Sequence, residues 1–169
     1  AGDLLWFASM RGDVEGKIIA DLGCGNGVFG IGALLLGAKK VLFLDVDEEA
    51  IKIARKNVTS VEKIIGKKLN KSFSNKDVSS FNTNVDVVIQ NPPFGVKKTH
   101  ADKPFLLRAM KYSDKVYIFS QKLRTSLLIK FAIQTGGRIE NGLTVVLLSS
   151  TNLRILDLIS VLKNQRKTA

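Results

Sequence analysis

Lys17-Ile18-Ile19-Ala20-Asp21-Leu22, followed at once by Gly23-Cys24-Gly25-Asn26-Gly27, decides the fold of this 169-residue chain. Lys17–Leu22 is an apolar run that reads as a strand. Gly23–Gly27 is a glycine-rich turn, in which the backbone can take φ > 0 and come close to a ligand. Val28–Leu36 then takes up helical spacing until Gly37 stops it. Strand, glycine turn and helix in this order point to a parallel sheet with crossover helices.

Outward from this unit the alternation continues. Residues 4–10 are apolar enough for a helix packed on the sheet. Val41–Leu44 reads as a second strand, ending at Asp45. Asp47 follows as a helix cap, with Glu48 and Glu49 in the positive first turn and Ile51, Ala54 and Val58 on one face. Residues 60–76 are polar and basic, with a weak strand near Lys71–Ser74. Val85–Gln90 reads as a strand and Val96–Ala101 as a loop. Asp102 caps a helix with Pro104 in its first turn that runs to about Lys111. Val116–Phe119, an amphipathic helix over Leu123–Thr135 and a strand over Leu143–Leu148 complete the pattern. The fold class is α/β: one Rossmann-like, doubly wound, mostly parallel sheet with helices on both faces. It spans residues 1–169 as a single domain, with room for an antiparallel strand near the carboxyl end.

Asn91-Pro92-Pro93-Phe94 follows the Val85–Gln90 strand. Two prolines cannot continue a strand, and they push Asn91 into an extended conformation. An amide side chain and an aromatic ring thus come to the carboxyl end of a strand, where open α/β sheets place their ligands. In an arbitrary protein the same residues would be an ordinary turn.

The hydrophobic fraction is 45%, ordinary for a globular domain, and no apolar run is long enough to span a membrane. The single cysteine, Cys24, excludes an internal disulfide and a cysteine-built metal site. No metal site is expected, and a cytoplasmic setting fits best. The net charge of +11 favours a polyanionic partner such as RNA, against a merely solvated lysine-rich surface. Lys63, Lys67, Lys68 and Lys71 share one connection, and Lys163, Arg166 and Lys167 lie in the tail. Lys97 and Lys98 directly follow the Pro-Pro turn and are the candidate nucleic-acid contacts.

Gly25-x-Gly27-x-x-Gly30 also matches a dinucleotide fingerprint, a weak signal by itself. The opening Gly23-x-Gly25-x-Gly27, Asp21 at the strand end, suited to a cationic aminoacyl group, and a turn that needs no pyrophosphate favour S-adenosylmethionine. Asp45 is placed to accept from ribose hydroxyls. Asp77 could accept from an adenine amino group with Val78 beside the ring, or be a plain loop residue. Cys24 reads as a space-filling residue and His100, the only histidine, as a loop residue.

Together with Gly12-Asp13-Val14-Glu15-Gly16-Lys17, Asp45-Val46-Asp47, Asn91-Pro92-Pro93-Phe94-Gly95 and the Phe105-Leu106 helix, the chain resembles the amino-methylating class I methyltransferases. More narrowly it is similar, over residues 4–120, to the methyltransferase-like-protein-five family and its archaeal relatives. The resemblance implies N6-methylation of adenosine in ribosomal RNA. It implies cofactor contacts from Gly23, Asn26, Val28, Asp45, Asp77 and Val78, and a base-holding role for Asn91, Pro92, Pro93 and Phe94. It also implies a small zinc-binding activator subunit for eukaryotic members. Two departures stand out. A Gln-Tyr-x-Thr element that covers the cofactor would precede the first helix. The basic, histidine-containing segment near the carboxyl end is replaced by a mostly apolar Leu147–Leu162.

An exocyclic amine is a poor nucleophile because its lone pair is conjugated with the ring. The Asn91 side-chain oxygen and the Pro92 carbonyl can accept its two N–H bonds, while Phe94 stacks on an unstacked base. Guanine N2, a protein glutamine amide, and a non-catalytic RNA-binding module on the same fold are the alternatives the motif leaves open.

Overall fold

The computed structural model describes residues 2–91 and 103–119, and the backbone of two further strands at 144–148 and 153–157. Helix α1 (Gly2–Met10) precedes β1 (Ile18–Leu22), α2 (Val28–Leu35), β2 (Lys40–Asp45), α3 (Glu48–Ile65) and β3 (Lys71–Asn75). A 3₁₀ turn (Val78–Ser80) leads to β4 (Val87–Gln90), α4 (Lys103–Tyr112), β5 (Lys115–Phe119), β6 (Thr144–Leu148) and β7 (Leu153–Asp157). The strands form one sheet in the order β3-β2-β1-β4-β5-β6-β7. All neighbours are parallel except β6 and β7, which are antiparallel. The doubly wound, mostly parallel sheet read from the sequence is therefore the observed one, antiparallel carboxyl-terminal strand included.

Side chains alternate across the strands and so divide the core in two. On one face Ile19, Phe43, Ile89 and Tyr117 pack under α1, α2 and α3 through Leu4, Ala8, Phe29, Ala33, Ile51, Ala54 and Val58. On the other, Ala20, Leu22, Leu44, Val88 and Ile118 pack under α4 through Leu106, Ala109 and Met110. Gly30 lets α2 close on the sheet: a Cβ there would stand 2.2 Å from Cε1 of Phe43.

The expected Asp47 cap is present, its Oδ1 accepting from Glu49 N at 2.9 Å. Helix α3 extends further than the polarity after residue 59 suggests. It stays helical to Ile65 because Glu62, although buried, is answered on every side. Its carboxylate accepts from Leu69 N at 2.7 Å and from Lys68 and Lys71. These bonds, the Leu69 N–H foremost, hold its carboxyl well below the usual range, at about 2.

Strand β4 starts at Val87 rather than Val85. Val85 N turns instead to Tyr112 O at 2.9 Å, and Asp86 Oδ2 accepts from Ile18 N at 2.7 Å. The weak strand near Lys71–Ser74 is β3, one residue longer. Part of the apolar tail is accounted for by β7. The Val96–Ala101 loop, the Asp102 cap and the Leu123–Thr135 helix lie outside the described residues. Among the described residues no helix is long and apolar enough to cross a membrane.

Candidate active site

In the strand order, β1 lies between β2 and β4, so the chain leaves β1 in one direction and returns to its other side. Such a switch point opens a crevice at the carboxyl ends of the strands. The glycine turn closes one wall of it. Gly23 N and Cys24 N both donate to Leu44 O, at 2.8 and 3.0 Å, which ties the turn to the end of β2. Gly23, Gly25 and Gly27 have φ of 69°, 52° and 81°, a region in which a side chain is strained.

Asp45 reinforces that tie. Its Oδ2 accepts from Gly25 N at 2.9 Å and its Oδ1 from Asp47 N at 3.0 Å. A carboxylate has about four acceptor positions, so two are used and others stay open to a ligand hydroxyl. Asn26 Oδ1 accepts from Val28 N at 3.2 Å, and its carbonyl takes Asn57 Nδ2 at 2.9 Å. Both Asn26 and Val28 are exposed beside the turn.

A cavity of about 340 Å³ opens between these elements, lined by Gly23, Leu44, Asp45, Val46, Asp77, Val78, Asn91 and Phe105. Its volume lies in the range of small-molecule sites, about 300–1,000 Å³. Asp77 caps the 3₁₀ turn through Ser79 N at 2.8 Å. The bonds from Ser79 keep its carboxyl below the usual range. Val78 is buried against Phe81 and Leu44 in the α4-side core.

The structure thus brings Gly23, Asp45, Asp77, Val78 and Asn91 together around one space. Gly25, Asn26, Gly27 and Val28 stand beside it in the turn and the start of α2. Asp21 is not among the cavity residues. It is buried beneath the turn, where its Oδ2 accepts from Gly30 N at 2.8 Å while Oδ1 has no partner among the described residues. Burial pushes its carboxyl up to about 7 against the pull of the Gly30 N–H, and the charge of Asp45 adds to the rise. Pro92, Pro93, Phe94, Lys97, Lys98 and His100 lie outside the described residues.

Leu44, Val46 and Phe105 are cavity residues to which the sequence reading gave no site role, although Val46 and Phe105 lie in stretches that carry the resemblance. The one local signal was an aromatic in the first turn of the helix after Pro-Pro. The Phe105 ring covers Gly23 so closely that a Cβ there would meet Cε1 at 2.9 Å. Cys24 is buried and its thiol is pushed far up by desolvation, in keeping with a space-filling role. Among the described residues no cluster of acids, cysteine or histidine could hold a metal.

The cavity suits a nucleoside bearing a cationic chain. It offers an acid with spare acceptors at the end of β2, a second acid beside an apolar patch of Val78, Leu44 and Phe105, and a wall at Gly23 where a Cβ would run into the Phe105 ring. The doubly wound sheet with a crevice at this switch point is the fold of the class I methyltransferases, whose cofactor is S-adenosylmethionine.

The comparisons agree. The family model of ribosomal protein L11 methyltransferase matches residues 4–92, and the chain belongs to this S-adenosylmethionine-dependent family. A candidate RNA methyltransferase of Pyrococcus horikoshii is 41% identical in its crystal structure, with a TM-score of 0.70 over 86% of this chain and 68% of that one. The rRNA N(6)-adenosine-methyltransferase of Drosophila melanogaster is 33% identical over 77% of this chain and 62% of its own length. That of Danio rerio is 37% identical over 67% of this chain and 55% of its own length. The chain therefore spans less than two thirds of these curated relatives.

Proposed function

We propose that the chain transfers a methyl group to the exocyclic amine of a nucleobase, with N6 of an adenosine in ribosomal RNA as the target. One observation carries this reading: Asn91, at the carboxyl end of β4, lines the same cavity as Gly23, Asp45, Asp77 and Val78. An amide acceptor and the nucleoside-binding residues therefore face one space. Bound S-adenosylmethionine supplies an electrophilic methyl group.

On this reading Asn91 accepts one N–H of the target amine through its side-chain oxygen, and the Pro92 carbonyl accepts the other. Two acceptors favour a pyramidal nitrogen with its lone pair free for in-line displacement. They also stabilise the positive charge that develops on it. Pro93 fixes the turn and Phe94 stacks on the extruded base. Lys97 and Lys98 hold flanking phosphates. No general base stronger than these acceptors is needed. Adenine is favoured by the Drosophila and Danio relatives, both named for that product. The net charge of +11 supports a polynucleotide. A small zinc-binding activator subunit, a cytoplasmic setting and a single domain over residues 1–169 go with the same reading.

Nucleoside mass spectrometry after incubation with ribosomal RNA and labelled donor tests it. N6-methyladenosine is the expected product. A rise in N2-methylguanosine alone would overturn the adenine assignment, and label in protein alone would overturn the nucleic-acid one.

A further inference from the structure

The two ends of the sheet differ in charge. The carboxyl end carries Asp45 and Asp77 around the cavity. The amino end, on its β2–β3 side, collects lysine. Lys40 opens β2, with Lys39 just before it, and Lys71 opens β3. Lys63 lies in the last turn of α3, and Lys67 and Lys68 in the turn that joins α3 to β3. Backbone and side-chain bonds hold these segments against one another. Lys39 N donates to Lys17 O at 2.8 Å, Asn70 Nδ2 donates to Lys39 O at 3.1 Å, and Val41 N donates to Asn70 O at 3.1 Å. Lysines distant in sequence thus form one basic surface.

Local structure explains part of it. Lys68 and Lys71 pair with Glu62, and Lys63 suits the negative end of the α3 dipole. Neither reason covers Lys39, Lys40 or Lys67, which make no ion pair among the described residues. The acids at this end do not neutralise them. Glu62 is buried and already paired, and the Asp86 carboxylate accepts from Ile18 N. Glu15 is exposed beside Gly37 and borders the surface on its β1 side. Like charges gathered in this way repel one another, a cost that a polyanion laid across them relieves.

We infer that this surface is a second RNA contact, which holds phosphates of the folded substrate away from the target nucleotide. The inference rests on the RNA reading given above and extends it to a face outside the site. Strand β2 runs from Lys40 to Asp45, so at about 3.3 Å per residue the surface stands about 17 Å from the cavity. A nucleotide seated in the site leaves this end of the sheet uncovered, whereas a folded RNA passing along the β3 edge reaches both. Lysine ammonium groups are point charges without the planar fork that reads base edges. The contact therefore adds affinity and orientation and no sequence preference.

The test combines Lys39→Gln, Lys40→Gln and Lys67→Gln in the full chain. Lys68 and Lys71 are kept, so Glu62 retains its partners. Binding of folded ribosomal RNA is measured over a range of salt concentrations. Each phosphate contact contributes about 0.9 to the slope of log affinity against log salt, so the triple variant should lose about 2–3 of that slope. Its thermal midpoint, S-adenosylmethionine affinity and transfer rate at saturating RNA should match the wild type, while KM for folded RNA rises. A control triple, Lys52→Gln, Lys56→Gln and Lys111→Gln, removes the same charge from α3 and α4 and should leave the slope nearly unchanged.

An unchanged slope in the first variant, or an equal fall in the control, overturns the inference, because the lysines are then a solvated face or part of a diffuse field. Full RNA binding by the first variant together with lost binding of poly-glutamate also overturns it, and identifies an acidic polypeptide as the partner. A wild-type chain that binds no RNA sinks the RNA reading and this one together. Wild-type binding with no change in the variant sinks this one alone.

Discussion

Replacing Asp21 by Asn exchanges a titrating carboxyl for a neutral amide and removes no hydrogen bond. The Gly30 N–H, now donating to Oδ2 at 2.8 Å, finds the same acceptor in an amide oxygen, and the new NH₂ takes the place of an unpartnered Oδ1. What changes is the response to pH. In the folded chain burial raises this carboxyl to about 7 from its ordinary 3.8. Between those values the folded state holds a proton that the unfolded state has released. Its stabilising effect is complete below the unfolded value and drains away as pH rises towards 7. The slope is about 1.4 kcal/mol per pH unit, so about 3 kcal/mol is lost between pH 5 and pH 8. Asp21→Asn lacks this loss. Urea unfolding without cofactor at pH 5, 6, 7 and 8 should show the variant gaining about 3 kcal/mol on the wild type across that range. A stability difference that stays constant from pH 5 to pH 8 would refute a protonated, buried Asp21.

Other substitutions separate the roles of the remaining site residues. Asp45→Ala should weaken S-adenosylmethionine by about 1–3 kcal/mol, because it removes a charged acceptor and frees Gly25 N; calorimetry giving wild-type affinity would take Asp45 out of the site. Asn91→Ala should abolish transfer and leave cofactor affinity within a few fold, and near-normal turnover would disprove the proposed mechanism. Gly30→Ala should destabilise by about 1–3 kcal/mol through overpacking against Phe43, read by denaturant midpoint. A midpoint equal to the wild type would show that the ring gives way.

The strands, the glycine turn and the Asp47 cap were legible because each depends on residues within a few positions. The edge strand β3 was harder. Its Lys71–Asn75 sequence has only Phe73 as a large apolar residue, and its stacking on Phe43 at 4.8 Å between ring centroids is a tertiary contact. The full length of α3 was hidden for a similar reason. The acid that would end it, Glu62, is answered by Lys71 nine residues later, across a loop. In the site, Asp45, Asp77 and Asn91 could be found because each follows or ends a strand at the crevice. Asp21 illustrates the limit of that rule. Being near the strand end placed it correctly along the chain, but alternation puts it with Ile19 on the α2 side, under the turn rather than among the cavity residues. Phe105 could be located only once α4 was packed over Gly23.

The bonds that fasten the glycine turn to β2 also bear on when its order is established. Gly23 N and Cys24 N are engaged by Leu44 O, and Gly25 N by Asp45, with no ligand taking part. The entropy of fixing three left-handed glycines is therefore met during folding and not at each encounter with the cofactor. On the methyl-transfer reading proposed above, a wall assembled before the donor arrives would receive successive donor molecules without having to be rebuilt.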